Sequence, residues 1–382
     1  MKHVGVSLGV AAMCVLLGGF GEPQGIPVEM AVWSPPSRVE AEGRAHLIYE
    51  LHLTNLGRSD VVVTRIEVMD EDGMVVADYG SANLEENLFR PSPIVAPEDA
   101  RRLSPGLRAV AFLDVERRVG DAITGPLKHR VTFEPVTTPA AGVQNTLVGA
   151  EVPIVPTGMP VGPPLRGDGW VAMHGLSNAS THRRTLLTLD GRTVIAQRFA
   201  IDFTRIGSDG QAFRGDPADN RNWTPYGADV LAVADGTIAA VQDGIPENDP
   251  TSETRAAPID LKTVGGNWII LTLPDGRDVF YAHLQPGSLL VRPGDAVSRG
   301  QVIGLLGNSG QSDAPHLHIH VVDEPSPLSA EGVPLIFETF DVQGHLASLK
   351  PLVDGTGWRA SGPRIERHSE MPVENAVIAF PQ

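Results

Sequence analysis

Short apolar runs that alternate with polar residues dominate the chain. Those in the first part include "AHLIYELHLTNLG", "VVVTRIEVMDEDG", "AVAFLDVERR" and "HRVTFEP", and turns rich in Gly, Asn, Asp and Pro separate them. Side chains two residues apart lie on the same face of a strand, so a period of two is typical of strands with one buried face. The pattern therefore predicts short antiparallel strands joined by tight turns.

The second part of the chain repeats this pattern with clearer turns. "RTLLTLDGRTVIAQRFAIDF" and "NWIILTLPDGRDVFYAHL" each carry an Asp-Gly pair between two apolar runs, which predicts two hairpins. "DVLAVADGTIAAVQDG" and "QVIGLLGNSG" add further strand and turn units. Sustained helical periodicity is scarce, and 41 glycines and 32 prolines favour turns. The sequence therefore predicts an all-β chain.

Composition shifts along the chain suggest how it is divided. Residues 27–150 have the strand spacing of an immunoglobulin-like sandwich, and nothing catalytic stands out there. Residues 151–169 are dense in Pro and Gly, which is typical of a linker. We predict a second, antiparallel β-sheet domain over residues 170–325, followed by an extension over residues 326–382.

The first 25 residues have the features of a secretory signal peptide. They begin with Lys2, run apolar to about Phe20 and break at Gly and Pro. We therefore expect a secreted or periplasmic protein with no membrane span after signal removal. The sole cysteine, Cys14, lies in this segment, so the mature protein would contain no disulfide. Lipid anchoring at Cys14 is the less favoured alternative, because Met13 precedes it where a small residue is usual.

Charge and histidine distribution narrow the function. The 382 residues carry a formal net charge of −16. This argues against binding to nucleic acid or to anionic membranes, since both require basic patches. Six of the twelve histidines lie between residues 174 and 320. The candidate chemistry is therefore expected in the second domain.

Three of these histidines alternate in "SGQSDAPHLHIHVVD". His316, His318 and His320 would project from one face of a strand. Catalytic zinc takes three protein ligands, commonly His nitrogens and a carboxylate, and keeps one position open for water. Alternate histidines can supply one ligand and a neighbouring acid–base group, provided that other strands bring the remaining ligands.

A longer segment resembles a known enzyme family. "FYAHLQPGSLLVRPGDAVSRGQVIGLLGNSGQSDAPHLHIHV" closely resembles the signature of the lysostaphin/LytM-type zinc metallopeptidases, the M23 peptidases. "YGADVLAVADGTIAAV" resembles a second stretch of that family, and "QRFAIDF" occupies the place of its "HxGxDF" motif. The resemblance covers roughly residues 170–325. It implies a Zn²⁺-dependent endopeptidase that cleaves peptidoglycan or another extracellular peptide.

The resemblance also implies roles for individual residues. Asp202 and His318 correspond to zinc ligands. His283 and His316 correspond to the two histidines that are not ligands and that orient the attacking water, move its proton and stabilise the oxyanion.

One residue departs from the family pattern. The family's first ligand is a His four residues before the Asp, and Arg198 stands there. An arginine cannot bind zinc. Three outcomes are open: His182, His320 or His174 completes the site, two protein ligands hold zinc weakly, or Arg198 pairs with Asp202 and no zinc binds.

Two hypotheses about function follow. The leading one is a secreted zinc metalloendopeptidase. Its Arg183 and Arg198 would contact substrate carboxylates through their bidentate guanidinium groups, or would only offset local acidity. The alternative is a catalytically inactive LytM-like domain that binds peptidoglycan or regulates a separate cell-wall hydrolase. In either case the N-terminal sandwich would serve as a spacer, an adaptor or a cover for the groove.

Overall fold

The structure is a computed structural model that describes residues 26–80, 83–92, 99–135, 145–354, 356–360 and 362–382. Within these segments the regular secondary structure is almost entirely antiparallel β-strand, which confirms the all-β prediction. The predicted signal peptide and Cys14 lie outside the described residues. Among the described residues, no helix combines the length and apolar character needed to cross a membrane.

The N-terminal part of the chain forms ten strands in two five-stranded antiparallel sheets. The strands are β1 (Val28–Ala31), β2 (Arg38–Ala41), β3 (Arg44–Asn55), β4 (Val61–Met69), β5 (Val75–Tyr79), β6 (Leu88–Phe89), β7 (Arg102–Leu103), β8 (Arg108–Arg118), β9 (Lys128–Pro135) and β10 (Thr146–Val148). A one-turn helix, α1 (Leu84–Asn87), and a 3-10 helix (Val119–Asp121) connect strands.

The two N-terminal sheets share one hydrophobic core. One sheet has the order β1-β3-β8-β6 with β2 beside β3, and the other has the order β10-β9-β4-β5 with β7 beside β4. Leu51 and Leu113 of the first sheet pack in the same core as Ile66 and Val131 of the second. We call this part, residues 26–148, the N-terminal domain. Its immunoglobulin-like character remains a prediction.

The rest of the chain, which we call the C-terminal domain, forms fifteen strands in the described residues. They are β11 (Gly167–Met173), β12 (Leu187–Leu189), β13 (Arg192–Val194), β14 (Ile201–Arg205), β15 (Asp229–Leu231), β16 (Gly236–Gln242), β17 (Asn267–Thr272), β18 (Asp278–Leu284), β19 (Ala296–Val297), β20 (Val302–Leu305), β21 (Leu317–Val322), β22 (Gly332–Val333), β23 (Phe337–His345), β24 (Ile365–Glu370) and β25 (Ala376–Phe380). A 3-10 helix (Asn220–Asn222) and helix α2 (Lys350–Val353) lie in connecting segments.

An eleven-stranded sheet organises the C-terminal domain. Its order is β19-β16-β17-β18-β21-β14-β11-β25-β23-β24, with β22 beside β21. The strands that carry most of the candidate site, β18, β21 and β14, are neighbours in its middle. Four strands after residue 325 join this sheet, and β25 pairs directly with β11. The end of the chain is therefore part of the scaffold that supports the site.

A buried cluster of charged side chains joins the two domains. Glu50 of β3 is 3% exposed, and it forms ion pairs with Arg183 and Arg198 of the C-terminal domain. Arg198 also pairs with Glu331. We call these four residues the Glu50 cluster. Burial by itself would raise the pKa of Glu50, but the two guanidinium groups lower it to about 2.

This low pKa makes the stability of the protein sensitive to acid. Because the pKa of Glu50 falls from 4.5 to about 2 on folding, its contribution is complete above pH 4.5 and is lost as the pH falls towards 2. The contribution is about 3 kcal/mol. We expect the free energy of unfolding to fall less steeply over this pH range in Glu50→Gln than in the wild type. Denaturant unfolding at a series of pH values measures both slopes, and parallel curves would contradict the prediction.

Candidate metal centre

Strand pairing brings the first two candidate ligands together. Asp202 of β14 lies directly opposite His318 of β21 in the sheet register, and both are buried. The Nδ1 atom of His318 lies 2.8 Å from Oδ1 of Asp202. The strand register therefore places the two candidate ligands side by side.

A β-bulge turns His283 towards this pair. Ala282 is the residue of β18 opposite His318, so simple alternation would place His283 on the other face. The register shifts by one residue between Tyr281 and Leu284, and His283 takes a left-handed backbone conformation with φ +65°. This conformation is uncommon for a residue other than glycine, and bulges re-aim side chains in this way. The His283 ring lies 5.8 Å from that of His318, centroid to centroid.

His182 completes a group of three possible ligands. It lies in the connecting segment between β11 and β12, with Nε2 3.5 Å from Oδ2 of Asp202 and its ring 4.9 Å from that of His318. Each of these three residues offers one possible ligand atom, and the three atoms lie within 4.8 Å of one another. Two imidazoles and a carboxylate are a common ligand set for catalytic zinc.

The state of His182 suits a metal ligand. Burial lowers its pKa to about 4, so the imidazole is neutral at pH 7. Its Nδ1 atom is buried and has no hydrogen-bond partner among the described residues. The nitrogen that faces Asp202 is the other one, Nε2. A neutral His182 with its proton on Nδ1 would offer the Nε2 lone pair to a cation beside Asp202 and His318.

His320 orients His318 and is not placed as a ligand. One nitrogen of His320, Nε2, lies 3.0 Å from the Pro327 carbonyl, and the other, Nδ1, lies 2.8 Å from Nε2 of His318. A carbonyl only accepts, so Nε2 of His320 donates to it. Burial holds the pKa of His320 well below its usual range, so its Nδ1 is an acceptor. His318 must then donate from Nε2, and such a partner fixes the tautomer of a metal ligand.

The nitrogen of His318 that faces Asp202 can serve a metal. When the ring proton is on Nε2, Nδ1 carries a lone pair 2.8 Å from Oδ1 of Asp202. Burial would raise the pKa of Asp202, but the imidazoles of His182, His316 and His318 hold it well below its usual range, so the group is anionic. A bound cation, or a proton on Nδ1, would satisfy both atoms. Two imidazoles and an anionic carboxylate are a donor set that catalytic zinc uses, so the residues present fit zinc.

Two further histidines lie beside the candidate ligands, and Nε2 of His316 is 3.6 Å from Oδ1 of Asp202. His283 donates from Nδ1 to the Ser309 carbonyl at 2.7 Å, and His316 donates from Nδ1 to the Ala314 carbonyl at 2.8 Å. Their rings lie 4.8 Å apart. Burial holds the pKa of His283 well below its usual range, so this ring is neutral and its Nε2 can accept a proton. The carbonyl contacts thus select the tautomer that a general base requires.

Arg183 and Arg198 lie away from this centre. Arg198 donates to Glu50, Glu331 and the Gly332 carbonyl, so its charge is neutralised there and not by Asp202. Arg183 is 1% exposed and is bonded into the N-terminal domain. Neither guanidinium group is accessible to a substrate. The expected substrate contacts and the expected pair between Arg198 and Asp202 therefore do not agree with the structure.

The candidate centre forms the floor of a groove with a volume of about 900 Å³. Its walls are largely apolar and come from several segments, including Leu187, Ile259, Trp268, Leu328 and Leu352. The described lining residues include no Lys or Arg, and all of them lie between residues 173 and 353. No described residue of the N-terminal domain therefore lines the groove. His174 also lines it, with its ring 4.7 Å from that of His182.

Comparison with known proteins bears on the same region. Residues 223–329 match the profile of peptidase family M23. Peptidoglycan DD-endopeptidase ShyC of Vibrio cholerae is 30% identical over 121 residues, which are 32% of this chain and 25% of the relative. ShyA of the same organism is 30% identical over 35% of this chain and 29% of its own length. Endolysin 2638A of Staphylococcus phage 2638A is 33% identical over 32% of this chain and 28% of its own.

These matches have a limited extent. The chain spans between a quarter and a third of the length of each of these relatives. The family match includes His283, His316 and His318, whereas Asp202 and His182 precede it. The sequence signature, the pairing of the site strands and the family match agree with one another. The chain therefore contains a peptidase family M23 domain.

Proposed function

We propose that the protein is a secreted zinc metalloendopeptidase that hydrolyses peptide bonds in the cross-links or stem peptides of bacterial peptidoglycan. The observation that carries the proposal is the convergence of His182, Asp202 and His318, with two further histidines beside them. The similarity to peptidoglycan endopeptidases supports the substrate class. An extracytoplasmic location is consistent with that substrate.

In this proposal His182, Asp202 and His318 would hold zinc, and the floor of the groove would place the scissile peptide bond beside it. Bound zinc supplies a Lewis acid that polarises a carbonyl and acidifies a water molecule. His283 and His316 present Nε2 atoms that accept the proton of the attacking water and return it to the leaving amine. Once protonated, either imidazole can donate to the developing oxyanion.

The inactive alternative rested on Arg198, which removes one expected ligand. His182 weakens that argument, because it places a nitrogen beside the Asp202 carboxylate from a different segment of the chain. A protein that only binds peptidoglycan would also gain nothing from the tautomers of His283 and His316, which suit proton transfer.

The proposal predicts separate effects on metal and on rate. The wild type should contain about one zinc per chain and lose hydrolysis with a chelator. His283→Ala should keep its zinc, since His283 is not a ligand, but lose about 10²–10⁴-fold in rate. Elemental analysis and the release of soluble fragments from purified peptidoglycan measure the two effects.

A surface histidine provides the control. His368 of β24 is exposed and pairs with Glu366, which is also at the surface. His368→Ala should match the wild type in zinc content and rate. A wild type without zinc, or His283→Ala with full activity, would contradict the proposed function.

A further inference from the structure

The segment that carries His182 has little regular structure of its own. Residues 174–186 connect β11 to β12 through turns, with backbone hydrogen bonds such as that from Arg184 to the Ser180 carbonyl at 3.2 Å. Asp202 and His318, by contrast, are fixed by strand pairing. The position of His182 therefore depends on the side chains that anchor this segment.

The strongest anchor is the neighbour of His182 in the chain. The Arg183 guanidinium donates to the Glu50 carboxylate and, at 3.0 Å each, to the carbonyls of Tyr49 and Leu113. All three acceptors belong to the N-terminal domain. The Nε atom of Arg183 donates to Oδ1 of Asn178 at 2.7 Å, which ties the start of the segment to the same group.

Two further contacts attach the same segment to the N-terminal domain. The Asn178 amide donates to the Asn87 side chain and to the Phe112 carbonyl. The Arg184 guanidinium lies 5.0 Å from the centroid of the Phe112 ring. The segment is thus held against the N-terminal domain on one side and lines the groove on the other.

The Arg198 guanidinium binds the same Glu50 carboxylate as Arg183. Its Nη2 donates to Oε2 at 2.8 Å, and its Nε lies 3.1 Å from Oε2 and 3.2 Å from Oε1. Glu50 is thereby fixed between two guanidinium groups. Arg198 stands where the first ligand was expected, and it thus helps to hold the segment that carries His182.

We propose that Glu50 is a positioning residue for the metal centre: it holds Arg183, and Arg183 places His182 against Asp202 and His318. The N-terminal domain would then be part of the zinc site without contacting zinc. The inference rests on the proposed function, because it requires a metal at these ligands. Outer-shell groups of this kind typically change metal affinity by about 10–100-fold.

The zinc affinity of the full chain tests the inference. Glu50→Gln removes the charge that both arginines share, and Arg183→Lys keeps the charge but loses the planar fork. Each variant should bind zinc at least about tenfold more weakly than the wild type in competition with a chelator. Glu67→Gln is the matched control: Glu67 is also buried in the N-terminal domain and pairs with Arg130, within that domain. Its zinc affinity should be unchanged.

The double variant separates positioning from general destabilisation. If Glu50 acts through Arg183, the double variant Glu50→Gln with Arg183→Lys should bind zinc no more weakly than whichever single variant has the lower zinc affinity. Additive losses, or wild-type affinity in either folded single variant, would overturn the inference and leave the proposed function intact. If Glu50→Gln does not fold by circular dichroism, Arg183→Lys decides the question alone. Absence of zinc from the wild type would overturn the proposed function itself.

Discussion

His182→Ala should lose its zinc and its hydrolytic activity together. Without this imidazole, only one carboxylate and one imidazole of the proposed ligand set remain, whereas catalytic zinc usually takes three protein ligands. We expect zinc affinity to fall by more than about 100-fold, beyond the loss that an outer-shell change causes. Elemental analysis after dialysis, together with fragment release from peptidoglycan, measures both losses.

His174 provides the matched control for this experiment. Its ring also lies beside His182, but His174 does not belong to the group of possible ligands around Asp202. His174→Ala should therefore retain its zinc. Full zinc content in His182→Ala would show that the third ligand has been assigned to the wrong residue, and loss of zinc in His174→Ala instead would identify the right one.

Arg198→Met should be strongly destabilising. The guanidinium group is buried and is shared by two carboxylates, Glu50 and Glu331, so its removal leaves buried negative charge without full compensation. Losing one partner of a buried ion pair costs about 3–5 kcal/mol. Urea unfolding at pH 7 measures the change in the free energy of unfolding.

An exposed arginine of the same domain gives the comparison. Arg192 pairs with Glu324 at the surface, where an ion pair contributes at most about 1 kcal/mol. Arg192→Met should therefore have little effect on stability. Equal stabilities of Arg198→Met and Arg192→Met would contradict the role assigned to the Glu50 cluster. By the same reasoning, Arg198→His should not restore a metal ligand, because this side chain is directed towards Glu50.

The strands and the central histidines could be predicted from local patterns. Alternating apolar residues indicated the strands, and the Asp-Gly pair at 190–191 forms the turn between β12 and β13, with positive φ at both positions. Asp202 and His318 were expected to be zinc ligands because their motifs resemble those of a known family. These features depend on neighbouring residues, which is why the sequence reveals them.

The remaining parts of the site depend on contacts that are distant in sequence. Glu50 lies 148 residues before Arg198, and its only local signal is a charged residue within the apolar run "AHLIYELHL". His182 was one of three possible ligands, because no periodic pattern fixes a residue in a connecting segment. The bulge at His283 likewise reverses the direction that strand alternation would give. Tertiary packing decides all three.

The apolar walls of the groove have a thermodynamic consequence. A peptide that enters the groove would find no described Lys or Arg among the residues that line it, so ion pairs with basic side chains there cannot drive recognition of its carboxylates. Affinity must come largely from removing apolar surface from water, around side chains such as Ile259, Trp268 and Leu352. Association would then carry a negative heat-capacity change. Its enthalpy would become more favourable as the temperature rises.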